Sequence, residues 1–276
     1  MNILDGKELA KSIRTQVKIE VSTFPTKAKL LVILVGKDPA SQIYVASKEK
    51  ACREVGMETE TIVLDENISQ KEIVTRIEEA NVNPEVHGIL VQLPLPKHLE
   101  EQVIINHIHP WKDVDGLTYV NQGRLMAGQK GIVPATPKGV VRLIDTYHLD
   151  FTGKNAVVIG RSNLVGKPLA LLLMQRNATV TIAHSKTNDL ASVCQNADLI
   201  CSAVGRPNFI TADMVKPGAV IIDVGISRVF GKVVGDVDFE AVSPLTSYIT
   251  PVPGGIGPMT IACLLENVVE CYKHSK

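Results

Sequence analysis

The sequence predicts an α/β fold of two domains built on parallel sheets, the second of them Rossmann-like. Three observations support it. Val/Ile/Leu-rich runs at residues 30–35, 86–93, 155–160, 179–183, 197–204 and 219–224 alternate with stretches of helical patterning. Continuous apolar runs are what strands covered on both faces of a parallel sheet require. Between Lys112 and Pro137 the periodicity breaks into Asp-Gly, Asn-Gln-Gly, Ala-Gly and Lys-Gly pieces, which marks the expected junction between domains and a cleft there. The run at 155–160 leads through a glycine-bounded turn into a helical stretch, the opening of a βαβ unit. With 276 residues, 45% of them hydrophobic, the chain has enough apolar material for two cores.

In chain order, the strand at 30–35 is followed by a helical segment from Ser41 to Val55. It places Tyr44, Lys48, Ala51, Cys52 and Val55 on one face and Glu49, Lys50, Arg53 and Glu54 on the other. Ser69 with Glu72 forms a capping box that opens a helix through Glu79. Thr136-Pro137 sets a capping residue before a proline at the first helical position, with a helix through Leu143. The last break is Thr250-Pro-Val-Pro-Gly-Gly-Ile-Gly-Pro258, after which Met259 to Tyr272 reads as helix.

Charge and composition exclude several classes. Basic and acidic residues number 29 each, a net charge of +0, so no general field favours nucleic acid or an anionic membrane. Cys52, Cys194, Cys201, Cys263 and Cys271 include no C-x-x-C pair and are odd in number, which suits small apolar residues in a reducing compartment. The N-terminus lacks a signal-peptide pattern and no stretch approaches the ~18 apolar residues of a membrane span. A cytoplasmic protein is expected. His107 and His109 stand two apart with no Cys/His set around them, so no metal is expected.

Gly160-Arg-Ser-Asn-Leu-Val-Gly166 lies where a dinucleotide-binding turn would place its glycines. There glycine lets the backbone approach a pyrophosphate, and the helix start offers N–H groups to its charge. The string departs from G-x-G-x-x-G: Ser162 replaces the second glycine, where it would hold the pyrophosphate slightly further out, and Gly166 comes one residue late. An ordinary tight βα turn is the competing reading. The next strand ends in His184-Ser185-Lys186, where an NAD enzyme usually places an acidic residue for the ribose 2′-hydroxyl. Arg161, Ser185 and Lys186 form a polar, cationic set suited to a 2′-phosphate, so NADP is favoured over NAD, with solvated loop charges as the alternative.

Lys48 stands beside Tyr44 on the stripe that should face core or cleft, where a lysine is paired, snorkelling or functional. Val91-Gln92-Leu93-Pro94-Leu95-Pro96 ends a buried strand on an amide, and Lys112-Asp113-Val114-Asp115-Gly116 puts two carboxylates at the presumed junction. An ordinary strand exit and an Asp-Gly turn are the plain alternatives.

Six strings, in order and spacing, resemble one family, the bifunctional methylenetetrahydrofolate dehydrogenase/cyclohydrolases or FolD proteins. They are Tyr44-Val-Ala-Ser-Lys48, Gly88-Ile-Leu-Val-Gln-Leu-Pro-Leu-Pro96, Lys112-Asp-Val-Asp-Gly116, Thr136-Pro-Lys-Gly139, Gly160-Arg-Ser-Asn-Leu-Val-Gly-Lys-Pro168 and Pro251-Val-Pro-Gly-Gly-Ile-Gly-Pro-Met-Thr260. The resemblance implies an N-terminal folate-binding catalytic domain of residues 1–118 and 257–276, the final helix returning to it, and an NADP domain of residues 119–256. It implies Lys48 as the catalytic lysine, Gln92 as its contact, Asp115 as the group holding the pterin and Tyr44 as packing on the folate. Val91, Leu93, Pro253, Gly254 and Gly255 would line the folate site, and Gly160, Arg161, Ser162, Ser185 and Ile226 would contact NADP. A homodimer acting on tetrahydrofolate one-carbon derivatives is expected, with a place in one-carbon metabolism and purine biosynthesis. Two departures stand out: Ala135 where a cysteine is expected, and His109-Pro-Trp-Lys112, whose Trp111 would alter packing near the cleft.

The implied chemistry is oxidation of 5,10-methylenetetrahydrofolate to the methenyl cation, then hydrolysis to 10-formyltetrahydrofolate. Only the second step demands proton movement, and an ordinary lysine is a poor base at neutral pH, so Lys48 would need its charged form disfavoured by a cationic substrate and an apolar surround. An NADP dehydrogenase for another substrate, or a dinucleotide sensor, would explain neither Tyr44/Lys48 nor Gln92.

Overall fold

The structure, a computed structural model, describes residues 1–275. Two compact units emerge: one of Met1–Lys11 with Thr136–Thr260, the other of Ser12–Ala135 with the chain from Ile261 onward.

The second of these contains a three-stranded parallel sheet in the order Glu58–Leu64, Lys29–Val35, Gly88–Val91. The central strand buries Leu31, Ile33 and Val35 with Ile73, Ile77 and Ile104 in one cluster, and Leu30, Val32 and Leu34 are buried as well. This covering of both faces accounts for the unbroken apolar run. Glu58–Leu64 was not legible in the sequence because it is an edge strand with exposed Glu58, Glu60 and Val63, and charge on an edge discourages pairing with another chain. Glu60 ion-pairs with Lys29 at 2.6 Å and raises the pKa of that lysine.

The helix Pro39–Glu54 is capped by the Asp38 carboxylate, which accepts from Ser41 N, and it buries Ser41, Val45, Ala51 and Cys52. The buried stripe is therefore centred one position away from the expected one: Tyr44 is 48% exposed and Lys48 lies at the margin. The expected capping box is present, with Ser69 and Glu72 opening a helix at Gln70–Val82, one turn longer than expected. That helix ends against Lys112, whose buried ammonium donates to Ala80 O at 3.0 Å and Asn83 O at 2.8 Å. A cation at a helix C-terminus meets the unpaired carbonyls and the negative end of the dipole.

Most of the segment expected to hold the domain junction is built into this unit, and the break lies at its far end. Helix Tyr119–Met126 is capped by Thr118, and its Asn121 donates to Pro110 O and to the Asp113 carboxylate. The break between units accordingly falls after Ala135 rather than after residue 118. From the final helix, Asn267 donates to Val114 O and Val133 O at 2.8 Å each, and Tyr272 stacks on Phe24 at 4.1 Å. Trp111 stacks on His274 at 3.6 Å, with Arg124 over its ring at 4.6 Å, so this departure from the family pattern packs on the final helix.

The other unit contains a six-stranded, wholly parallel sheet in the order Asn2–Ile3, Tyr248–Ile249, Val220–Asp223, Leu199–Ser202, Asn155–Ile159, Thr179–Ala183. The first strand comes from the extreme N-terminus, which explains why Met1–Lys11 belongs here and not with residues 12–118. The expected Thr136 cap gives way to a helix that begins at Ala135. Thr136 lies in its first turn and hydrogen-bonds Thr260 through its hydroxyl at 2.9 Å. An antiparallel hairpin, Ser227–Val229 with Lys232–Val234, follows the strand Val220–Asp223. The helix expected from Met259 begins at Ile256 and runs to His274. All five cysteines are buried and none forms a disulfide, and burial pushes the Cys52 thiol up to about 12. No described helix is long and apolar enough to cross a membrane.

Candidate functional site

The candidate side chains fall into two groups, one in each unit. In the unit with the three-stranded sheet, Gln92 directly follows Gly88–Val91 and is buried, with its backbone N–H tied to Ile33 O. Its amide donates to Leu93 O at 2.6 Å, which leaves the amide oxygen to accept from Lys48 Nζ at 3.0 Å. The pairing fixes the lysine head at the strand's carboxyl end, the edge of a parallel sheet where ligands bind. Snorkelling is thus not the state of Lys48: its ammonium is held by a buried partner 44 residues away.

The two carboxylates of Lys112-Asp113-Val114-Asp115-Gly116 divide their work. Asp113 is buried and accepts from Thr118 N at 2.8 Å and Asn121 Nδ2 at 3.0 Å, while Ile89 N bonds Lys112 O at 2.7 Å. These bonds lock the segment against strand Gly88–Val91. Asp115 makes none of these bonds. Burial raises its pKa, opposed by the positive charge of Lys48 and reinforced by Asp113. Lys48, Gln92 and Asp115 therefore form one electrostatically linked group, and Val91 and Leu93 flank it in the chain. Tyr44 lies one helical turn before Lys48, half-exposed.

In the other unit, Asn155–Ile159 runs into Gly160 and the helix Gly166–Met174 follows. A Cβ at Gly166 would lie 2.1 Å from Gly160 O, and one at Gly160 would lie 2.7 Å from Ala203 O. Only glycine permits the close strand–helix approach, so Gly166 performs the packing role of the third motif glycine although it comes one residue late. Ser162 Oγ accepts from Val165 N at 3.1 Å and Gly166 N at 3.4 Å, capping the helix start, a role the sequence reading did not assign.

The strand order reverses direction at Asn155–Ile159, with Thr179–Ala183 on one side and Leu199–Ser202 on the other. Outside the carboxyl ends at such a point, an open parallel sheet leaves a crevice for a nucleotide. Arg161 and Ser162 are exposed at one carboxyl end, Ser185 and Lys186 at the next, and the turn between them is organised by His184 N donating to Thr187 Oγ1. Ile226 is exposed after strand Val220–Asp223. Pro253, Gly254 and Gly255 also belong to this unit, where Gly254 O accepts from Lys7 N at 2.9 Å.

Two carboxylates that the sequence reading passed over lie at the same strand ends. Asp223 and Asp236 are buried, and between them they accept from Ser202, Val204, Arg206, Gly225, Asp236 and Val237. Their only sequence signals are the Asp-Val-Gly and Gly-Asp-Val strings, which read as turns. Burial raises Asp223 to about 6, opposed by the backbone N–H groups it accepts from. A carboxyl raised above its unfolded value of 3.8 opposes folding above pH 6 and is relieved as pH falls through 6 towards 3.8. Between pH 7.5 and pH 5 this single group is expected to favour the folded state by about 1 kcal/mol. Denaturant titrations of the wild type and Asp223→Asn at both pH values test this: the difference between them should shift towards the wild type at pH 5, and parallel behaviour would refute the assignment.

Residues 4–115 match the model of the tetrahydrofolate dehydrogenase/cyclohydrolase catalytic domain, and residues 134–276 match that of the tetrahydrofolate dehydrogenase/cyclohydrolase NAD(P)-binding domain. The chain is 53% identical over 273 residues to the bifunctional protein FolD of Campylobacter concisus, covering 98% of this chain and 96% of that protein. Among solved structures it resembles the bifunctional FolD methylenetetrahydrofolate dehydrogenase/cyclohydrolase of Campylobacter jejuni, at 49% identity and a TM-score of 0.97 over 99% of both chains. It also resembles the Trypanosoma brucei enzyme complexed with NADP cofactor and inhibitor, at 36% identity and a TM-score of 0.94 over 99% of this chain and 97% of that one. With both family models matched along nearly its whole length, and with a glycine-bounded strand-to-helix turn in one unit and a Lys48–Gln92 pair in the other, the chain belongs to the tetrahydrofolate dehydrogenase/cyclohydrolase family.

Proposed function

We propose that the chain oxidises 5,10-methylenetetrahydrofolate with NADP and hydrolyses the resulting 5,10-methenyltetrahydrofolate to 10-formyltetrahydrofolate. The observation that carries this reading is the bond from Lys48 Nζ to the buried Gln92 amide, beside the partly buried Asp115, in a member of this family.

The nicotinamide ring of bound NADP⁺ supplies a hydride acceptor. The bridging carbon of the substrate lies between two nitrogens, so loss of hydride gives an amidinium directly and no protein base is needed in that step. What the protein must supply is alignment. The nucleotide crevice fits such a cofactor: Gly160 and Gly166 would let backbone approach it, and Arg161 and Ser185 would take the 2′-phosphate.

Hydrolysis then adds water to the methenyl carbon. Both protons of the attacking water leave its oxygen, the first on addition and the second as the hydroxyl becomes the formyl carbonyl. The bond from the methenyl carbon to N5 breaks, N5 takes up one proton and the formyl group stays on N10, so the step releases one proton overall. Lys48 is the group that moves these protons, oriented by Gln92. Asp115 would hold the pterin, Tyr44 would pack on the folate, and Val91, Leu93, Pro253, Gly254 and Gly255 would line its site. The family resemblance supports a cytoplasmic homodimer serving one-carbon metabolism and purine biosynthesis.

Mixing the purified protein with 5,10-methylenetetrahydrofolate and NADP⁺, while following NADPH and the methenyl absorbance, tests both activities. Turnover without methenyl accumulation is expected. Persistent methenyl would remove the hydrolase half of the reading, and no turnover would remove all of it.

A further inference from the structure

We propose that Asp236 is a positioning residue for the nicotinamide cofactor, fixing from beneath the two loops that border the nucleotide crevice without touching the cofactor itself. The proposal rests on the NADP reading above.

The crevice is bounded at the carboxyl ends of Asn155–Ile159, Leu199–Ser202 and Val220–Asp223 by residues 160–166, 203–206 and 224–226. The first of these loops is held by its own glycines and by Ser162. The other two have no regular structure of their own, and their main-chain groups converge on two buried carboxylates. One oxygen of Asp236 accepts from Ser202 Oγ at 2.9 Å and Val204 N at 2.8 Å, and the other accepts from Arg206 N at 2.8 Å. Asp223 in turn accepts from Gly225 N at 2.9 Å, Asp236 N at 3.0 Å and Val237 N at 2.9 Å. Ser227 closes the circuit by donating to Gly205 O at 3.1 Å.

Asp236 therefore clamps 204–206 directly and is itself fixed by the carboxylate that clamps Gly225, the residue before Ile226. The packing leaves no slack: a Cβ at Gly225 would lie 2.1 Å from Asp236 Oδ1, and one at Gly235 would lie 1.9 Å from Asp223 Oδ2. Two like charges buried side by side oppose stability, and a general structural role would be served as well by apolar packing. What an apolar pair could not do is hold main-chain N–H groups at fixed positions around a ligand site. Asp236 is 0% exposed and Asp223 3%, so neither reaches a ligand; their effect passes through Val204, Gly205 and Ile226.

Asp236→Asn turns one accepting oxygen into a donor facing N–H or hydroxyl groups that already donate. The expected result is a KM for NADP⁺ raised at least about tenfold, consistent with losing a hydrogen bond to a charged group, with kcat at saturating cofactor within about twofold. Hydrolysis of added 5,10-methenyltetrahydrofolate, which uses no nucleotide, should run at the wild-type rate and so reports a folded chain. Ser202→Ala removes one bond to the same carboxylate and should raise the KM by about threefold, which decides the matter if Asp236→Asn does not fold. A merely structural role would lower kcat through the active fraction and leave the KM alone, and that result in either folded variant overturns the proposal. Absence of NADP turnover in the wild type would instead overturn the cofactor reading on which it rests.

Discussion

Lys48→Met is expected to slow hydrolysis of 5,10-methenyltetrahydrofolate by about 10²–10⁴-fold, the range usual for removing a general acid–base group. Methionine keeps the length and apolar stem of lysine, so the helix Pro39–Glu54 keeps its packing, while the hydrogen bond to Gln92 Oε1 disappears. The loss should fall on kcat for hydrolysis. Affinity for NADP should be unchanged, because no nucleotide-contact candidate lies in the same unit as Lys48. Steady-state hydrolysis beside a cofactor titration by fluorescence tests the pair. Unimpaired hydrolysis would remove Lys48 from the chemistry, and equal loss of both properties would point to disrupted folding.

Arg161→Ala should weaken NADP binding by about 10–100-fold while leaving NAD within about threefold, since a charge-assisted bond to a phosphate is worth roughly 1.5–3 kcal/mol. Arg161 and Ser185 occupy the carboxyl ends of adjacent parallel strands, the expected position of the adenosine ribose, and both are exposed to solvent. A change that affects NAD and NADP alike would place Arg161 on the pyrophosphate instead. No change in either would exclude it from the site.

How far the sequence was legible depended on the range of the signal. The strands 155–159 and 179–183 and the Ser69 capping box were readable because a buried strand and a cap write their requirements into neighbouring residues. Tyr44 was placed too deep: with no partner segment known, the stripe around Lys48 could be centred one position away from where Val45 and Cys52 centre it. Helix Tyr119–Met126 was missed because its short polar surface carries little periodicity, and its place is set by Asn121 bonding backward to Pro110 and Asp113.

By itself the sequence determined the parallel α/β class and the glycine-bounded turn after strand 155–159, and through the family strings it pointed to Lys48, Gln92 and Asp115. Each is a local requirement of backbone geometry or side-chain chemistry. Only the tertiary structure decided that Asn2–Ile3 completes a sheet with Tyr248–Ile249, that Lys48 is held by Gln92, and that Asp223 and Asp236 gather six donors at three strand ends. Those arrangements join segments far apart in the chain. A buried polar group must find its partner wherever the fold brings one, and no local pattern records which partner that is.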